Sequence, residues 1–250
     1  MNVFERLINF LIPSNCMICG KRTDGGELCN ECSGEFIRES FLKCESCGKP
    51  AAKCECGADF TAHTRTKIGG RGFIALTFYK SKATQAAERT TERMIYALKN
   101  KGTFAEYFST LLAGEIRSAF SKDGTDLSEW TVTYPPRSQG KFNRMGFDQS
   151  EEIARRLAKK LGVSFSETFT RTDEGEEQKN LRARERYLNA EESLVPIKKN
   201  IIKGGKYIIF DDIITSGATV ETMAKHLYFA GADSVFPVTV ARTFRPSTYE

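Results

Sequence analysis

"IIFDDIITSGAT", residues 208–219, joins an apolar β-branched run to two adjacent carboxylates and then to a turn of small and hydroxyl-bearing residues. Lys206 to Phe210 reads as a buried strand feeding straight into Asp211 and Asp212, and Ala218 to Ala230 as a helix closed by Gly231. A helix start presents free backbone N–H groups and a positive dipole end, and the Thr and Ser hydroxyls of Thr215, Ser216 and Thr219 add donors. Gly217 lets the backbone come close to an anion's oxygens, with Ala218 beside it. Such a turn holds a phosphate without Lys or Arg. The acidic pair repels phosphate, so its partners are hydroxyls or a metal ion. A ligand with a phosphate on one side and vicinal hydroxyls on the other is a ribose 5-phosphate.

Working outward, the chain beyond Gly57 alternates strand-like and helix-like stretches. "FIALTFYK" (Phe73 to Lys80), "WTVTY", "VSFSETFT" and "SVFPVTVAR" read as strands. "TQAAERTTERMIYALKN" reads as an amphipathic helix with Ala87, Met94, Ile95 and Leu98 near one face, and a second helix runs from about Phe104 to Phe120. "SEEIARRLAKKLG" is a third, with Ile153, Leu157 and Leu161 at four-residue spacing and Gly162 as its stop. Strands separated by helices predict an α/β fold, a parallel sheet with helices on both faces and ligands at the strands' carboxyl ends. Trp130 is expected in the core, and His63 and His226 lack a partner motif. Other acidic strand ends fail on detail. A haloacid-dehalogenase phosphatase needs Asp-x-Asp, but Ile213 stands two past Asp211; Walker A and dinucleotide glycine motifs are absent. A receiver-like acidic pocket stays open but leaves the hydroxyl-rich turn unexplained.

Hydrophobic content of 40% and 28% charged residues describe a globular chain of 250 residues, and no apolar stretch approaches a membrane span. "MNVFERLINFLIPSN" has too short an apolar part for a signal peptide and reads as a docked helix with Val3, Leu7 and Leu11 on one face, so a cytoplasmic location is expected. The net charge of +5 permits a nucleic-acid or phosphate ligand without demanding one.

All eight cysteines precede residue 57, as Cys16-x-x-Cys19, Cys29-x-x-Cys32, Cys44-x-x-Cys47 and Cys54-x-Cys56. A two-residue gap lets both thiolates of a pair reach one ion from a tight turn, and two pairs complete a tetrahedral sulfur site. Two structural zinc ions are the natural count, favoured over disulfides because the pairs are too close to staple long loops. Sequential sites, as in a double zinc ribbon, are preferred to an interleaved cross-brace. Four thiolates per zinc leave −2 at each site, which takes the whole-chain charge to about +1. The division expected is residues 1–58, helix and ribbons, and residues 59–250, the α/β domain.

The acidic pair and its turn resemble the motif of type I phosphoribosyltransferases that binds 5-phosphoribosyl-1-pyrophosphate (PRPP): hydrophobic strand, Asp-Asp, two residues, then Thr-Ser-Gly-Ala-Thr. Within that superfamily the chain resembles the ComF (ComFC) competence proteins along nearly its full length. "PPRSQGKFNRMGFDQS" matches their Pro-x8-Arg-Gly-Phe-Asn-Gln pattern at Pro136, Gly146, Phe147 and Gln149, with Met145 for Arg and Asp148 for Asn. "QKNLRARERYLN" fits Gln-x-x-Leu-x4-Arg-x-x-Asn at Gln178, Leu181, Arg186 and Asn189.

The resemblance implies that Asp211 and Asp212 are the catalytic pair, holding the ribose hydroxyls directly or through Mg²⁺, with Ile213 and Thr215 to Thr219 around the 5-phosphate. Pro136, Arg137, Ser138 and Gln139 would form the pyrophosphate loop, with Lys141 and Arg144 nearby and Lys99 a weaker candidate. Gln178 to Asn189 would form a mobile flap, carrying Gln178, Leu181, Arg182 and Arg186. Two functions follow. One is a PRPP-binding protein of DNA uptake and natural transformation. Its implied partners are single-stranded DNA, the competence helicase and the membrane DNA channel, together with self-association into a homo-oligomer. The other is an active phosphoribosyltransferase of nucleobase or amine metabolism, amidophosphoribosyltransferase-like, with no direct DNA role.

Overall fold

The computed structural model describes residues 14–23, 26–79, 89–172 and 183–243, with the backbone alone at 183–186. The expected N-terminal helix, Ala87 and the flap positions Gln178, Leu181 and Arg182 lie outside the described residues, as does the side chain of Arg186.

Strands β1 (Ser14–Asn15) and β2 (Arg22–Thr23) and helix α1 (Asn30–Ser40) form the cysteine-rich part with the following loops. After α2 (Thr61–Thr64) come β3 (Ile74–Tyr79), α3 (Thr90–Lys101), α4 (Ala105–Asp123) and β4 (Trp130–Thr133). Helices α5 (Gln139–Met145) and α6 (Gln149–Leu161) precede β5 (Ser164–Phe165) and β6 (Phe169–Arg171). The chain continues through α7 (Ala183–Ser193), β7 (Leu194–Pro196), β8 (Lys206–Ile214), α8 (Ala218–Phe229) and β9 (Ser234–Thr243).

The main sheet has the order β3-β9-β8-β4-β5 with every neighbouring pair parallel. Its centre is buried on both faces, as continuous apolar runs require. Ile208 and Phe210 face a cluster built from α3, α4 and α6, where Leu98, Leu112 and Leu157 are fully buried; Tyr207 and Ile209 face the other way, toward Met223 and Leu227 of α8. That two-residue alternation is the strand's own periodicity. Trp130 is core as expected, edge-on to Phe120 at 5.2 Å.

Two expectations are corrected. Strand β8 does not end before the acidic pair but carries it, because β9 continues the ladder through Asp211↔Thr239 and Ile213↔Ala241. Thr239 Oγ1 also donates to the Asp212 carbonyl at 3.0 Å. "VSFSETFT" is two strands rather than one. Phe165 stacks on Tyr134 at the edge of the main sheet, while Phe169 crosses to the opposite core and β6 pairs antiparallel with β7.

The ribbons are fastened to the α/β body by side chains that cap its helices. The Glu39 carboxylate accepts from the backbone N–H groups of Thr90 and Thr91 at 2.9 and 2.7 Å, at the start of α3. Glu27 accepts from Phe104 N at 2.9 Å, just ahead of α4. Each carboxylate satisfies donors that a helix start leaves open and sits at the positive end of the dipole. From the other side, buried Arg242 of β9 donates to the Cys54 carbonyl at 2.7 Å and to the Cys56 carbonyl.

Candidate functional site

Two adjoining cavities open where β8 meets α8. The smaller, about 140 Å³, is lined by Ile213 to Thr219 and by Asn189 and Ala190 of α7. The larger, about 690 Å³, is lined by Pro136, Arg137, Lys141, Arg144 and Gln149, by Lys99 and Asn100 from the end of α3, and by Asp212. Arg171, Asp211 and Thr219 border both. The fold therefore brings the acidic pair, the hydroxyl turn and part of the expected pyrophosphate loop around two neighbouring cavities with a shared border.

The two aspartates are not equivalent. Asp212 is buried, accepting from Gln149 Nε2 at 2.7 Å and from Ile213 N at 2.7 Å, with Lys99 Nζ 3.5 Å from Oδ2. Asp211 is compensated less fully, by a backbone hydrogen bond from Asp212 and by the charges of Lys99 and Arg171. Burial, then the Asp212 charge, push its carboxyl up to about 7, against the pull of Lys99 and Arg171. A carboxylate raised this way welcomes a cation, so the donor set fits Mg²⁺. It also fixes a sign. From the ordinary 3.8 to about 7 the folded chain holds a proton that the unfolded chain has lost, so Asp211's stabilising contribution is complete below about pH 4 and disappears as the pH rises through 7. Without ligand, Asp211→Asn is expected to raise the melting temperature above pH 7 and flatten its pH dependence; an unchanged profile by calorimetry would contradict the raised carboxyl.

The turn Thr215 to Thr219 is closely backed. Gly217 has φ +82°, and a Cβ added there would lie 2.5 Å from Cβ and Cγ of buried Phe60. Tyr187 Oη donates to the Ser216 carbonyl at 3.3 Å, and Thr243 Oγ1 to the Thr215 carbonyl at 3.4 Å. Left-handed backbone and overpacking add, so Gly217→Ala is expected to cost about 2–4 kcal/mol in denaturant unfolding. A cost under about 0.5 kcal/mol would show that Phe60 yields freely.

Arg137 is built into the scaffold. Its Nη2 donates to the Lys99 carbonyl at 2.9 Å and Nη1 to the Phe147 carbonyl at 3.2 Å, with the guanidinium over the Phe147 ring. Asp148, which stands for Asn in the ComF pattern, is the N-cap of α6. Its Oδ1 accepts from Ser150 N and its Oδ2 from Arg137 N, at 2.9 and 2.7 Å. Ser138 and Gln139 begin α5, where Gln139 bonds Asn143 at 2.8 Å. Arg171, Gln149 and Lys99 complete the site. Arg171 sits at the end of a short strand with no motif around it, and Gln149 stands in the ComF pattern without an assigned role. Lys99 marks the helix end that turns at Gly102, a weak local signal.

The cysteines fall into two clusters, Cys16, Cys19, Cys29 and Cys32, then Cys44, Cys47, Cys54 and Cys56, with sulfurs within 4.8 Å of one another in each. The sequential arrangement holds. Sulfur pairs at 3.6 Å, Cys19 to Cys29 and Cys47 to Cys54, approach the edge of about 3.8 Å expected for a tetrahedron with zinc–sulfur bonds of about 2.3 Å. The two turns repeat: Gly20 N donates to the Cys16 carbonyl and Gly48 N to the Cys44 carbonyl, both at 2.8 Å. Burial would raise the thiols of Cys16 and Cys44, but backbone donors outweigh it and lower them to about 6 and about 7. Sites with four sulfurs leave no position for a substrate, so the two zinc ions they fit are structural.

The chain is similar to known proteins along most of its length. Residues 7–61 match the double zinc ribbon domain family. The DNA utilization protein YhgH of Salmonella typhimurium is 26% identical over 93% of this chain and 98% of its own length. The competence protein ComFC of Streptococcus pneumoniae is 23% identical over 91% and 99%. A hypoxanthine phosphoribosyltransferase from Staphylococcus aureus superposes on 58% of this chain and 70% of its own at a TM-score of 0.36 and 16% identity. The resemblance to the ComF proteins read from the motifs is borne out by these relatives. Among the described residues no helix is long and apolar enough to cross a membrane.

Proposed function

We propose that the protein binds PRPP with Mg²⁺ in the paired cavities and acts in the cytoplasm in DNA uptake. The observation that carries this reading is the shared border: Asp211 and Thr219 face both cavities, as one ligand with a phosphate at each end of a ribose requires. In this reading the turn Thr215 to Thr219 receives the 5-phosphate through backbone N–H groups and hydroxyls, and the aspartates take the ribose hydroxyls. Mg²⁺ beside Asp211 and Asp212 would supply charge neutralisation for the diphosphate. Lys99, Lys141 and Arg144 line the cavity where the diphosphate would lie, and the same cations would stabilise pyrophosphate as a leaving group. The names of the two relatives support the DNA role.

Calorimetric titration of the zinc-loaded protein with PRPP and Mg²⁺ tests the binding, with one saturable site per chain expected and no heat the contrary result. Two further measurements separate a binder from a transferase: pyrophosphate release across a panel of nucleobases and amines, and single-stranded DNA affinity against salt. Salt-dependent DNA binding without turnover supports the uptake role. Turnover with no DNA affinity would favour nucleobase or amine metabolism.

A further inference from the structure

Among the described residues Arg171 is the one cation that borders both cavities, and it lies where the strand β6 ends beside Asp211. Its Nε is shielded from solvent and has no hydrogen-bond partner among the described residues. Lys99 and Arg137, by contrast, are engaged, one with the Asp212 carboxylate and the other with two carbonyls. Desolvation weighs against the charged form of Arg171, opposed by the charges of Asp211 and Asp148. An arginine stays protonated in proteins, so a shielded guanidinium N–H without an acceptor is a standing cost unless an anion completes it.

We infer that Arg171 is the ligand's phosphate receptor at the junction of the two cavities, donating from its fork to a phosphoryl oxygen. The inference rests on the sugar-phosphate reading of the pocket and adds to it a residue outside every motif of the sequence. A planar fork suits a phosphoryl group, and a buried donor without a partner is completed by an acceptor that arrives with the ligand. The phosphate concerned is either the 5-phosphate of the smaller cavity or the diphosphate of the larger.

The test uses the full zinc-loaded chain with Arg171→Met and Arg171→Lys. Ribose 5-phosphate and inorganic pyrophosphate, each with Mg²⁺, are titrated separately by calorimetry, and melting temperature is read without ligand. Arg171→Met should weaken one of the two probes by about 10- to 100-fold, the scale of a charged hydrogen bond, and identify the phosphate concerned. Its unliganded melting temperature should equal or exceed that of the unaltered protein, because a shielded donor without an acceptor has gone, and Arg171→Lys should recover part of the affinity. If Arg171→Met binds both probes as the unaltered protein does, or melts lower with affinity lost for both alike, the inference falls while the pocket reading stands. If the unaltered protein binds neither probe, the pocket reading itself fails and takes the inference with it.

Discussion

Exchanging Asp211 and Asp212 together for asparagine is expected to weaken PRPP binding in the presence of Mg²⁺ by at least about 100-fold, with the fold intact. Each carboxylate that accepts from a ligand hydroxyl or a bound cation is worth about 1.5–3 kcal/mol, and the two together exceed the factor of 100. The packing should survive. Asparagine keeps nearly the same shape: its amide oxygen can accept from Ile213 N, and its NH2 can donate to Gln149 Oε1, which has no partner among the described residues, once that side-chain amide turns over. Removing a carboxyl that burial has pushed up to about 7 should even raise unliganded stability above neutrality. Thermal denaturation checks both halves at once. PRPP with Mg²⁺ at a hundredfold excess over the dissociation constant should stabilise the unaltered protein by about 2.7 kcal/mol and leave the double variant where it was. Equal stabilisation of both proteins would remove the acidic pair from the ligand.

Stripping zinc should have the larger structural effect. Structural zinc sites typically contribute about 10–16 kcal/mol to folding, more than a ribbon module of this size gains from its own small core. Loss should spread into the body. Glu39 and Glu27 supply acceptors at the starts of α3 and α4, Arg242 is held by the Cys54 and Cys56 carbonyls, and Phe60 backs the β8–α8 turn at Gly217. Metal analysis is expected to give two zinc per chain. After chelation, far- and near-ultraviolet circular dichroism should report lost ribbon structure and a melting temperature of the remaining body lower by more than about 10 °C. A body that melts unchanged after zinc loss would show the interface to be energetically idle.

The sheet was legible because its central strand is apolar on both faces and its helices carry their apolar residues at three- and four-residue spacing, as at Ile153, Leu157 and Leu161. The turn between β8 and α8 was legible because its signal is local: residues 211–219 are contiguous and need no partner to be recognised. The zinc clusters were legible for the same reason, since each pair of thiolates sits in one turn. What escaped is long-range. Glu39 reaches Thr90, Glu27 reaches Phe104, and Gln149 reaches Asp212 across the fold, and a single Glu or Gln carries no periodic signal of such a destination. The end of β8 was misplaced because two aspartates read as a strand stop, whereas pairing with β9 and the Thr239 hydroxyl hold them in the ladder. Arg171 was hidden because "VSFSETFT" looks like one strand, and only the split into β5 and β6 delivers the residue after it to the pocket.

The most direct measurement is a crystal structure of the zinc-loaded protein grown with PRPP and Mg²⁺. It should show the 5-phosphate within hydrogen-bonding distance of the Thr215 to Thr219 backbone and the ribose hydroxyls against Asp211 and Asp212, with the diphosphate in the larger cavity. Ligand density anywhere else, with that corner empty at saturating concentration, would contradict it.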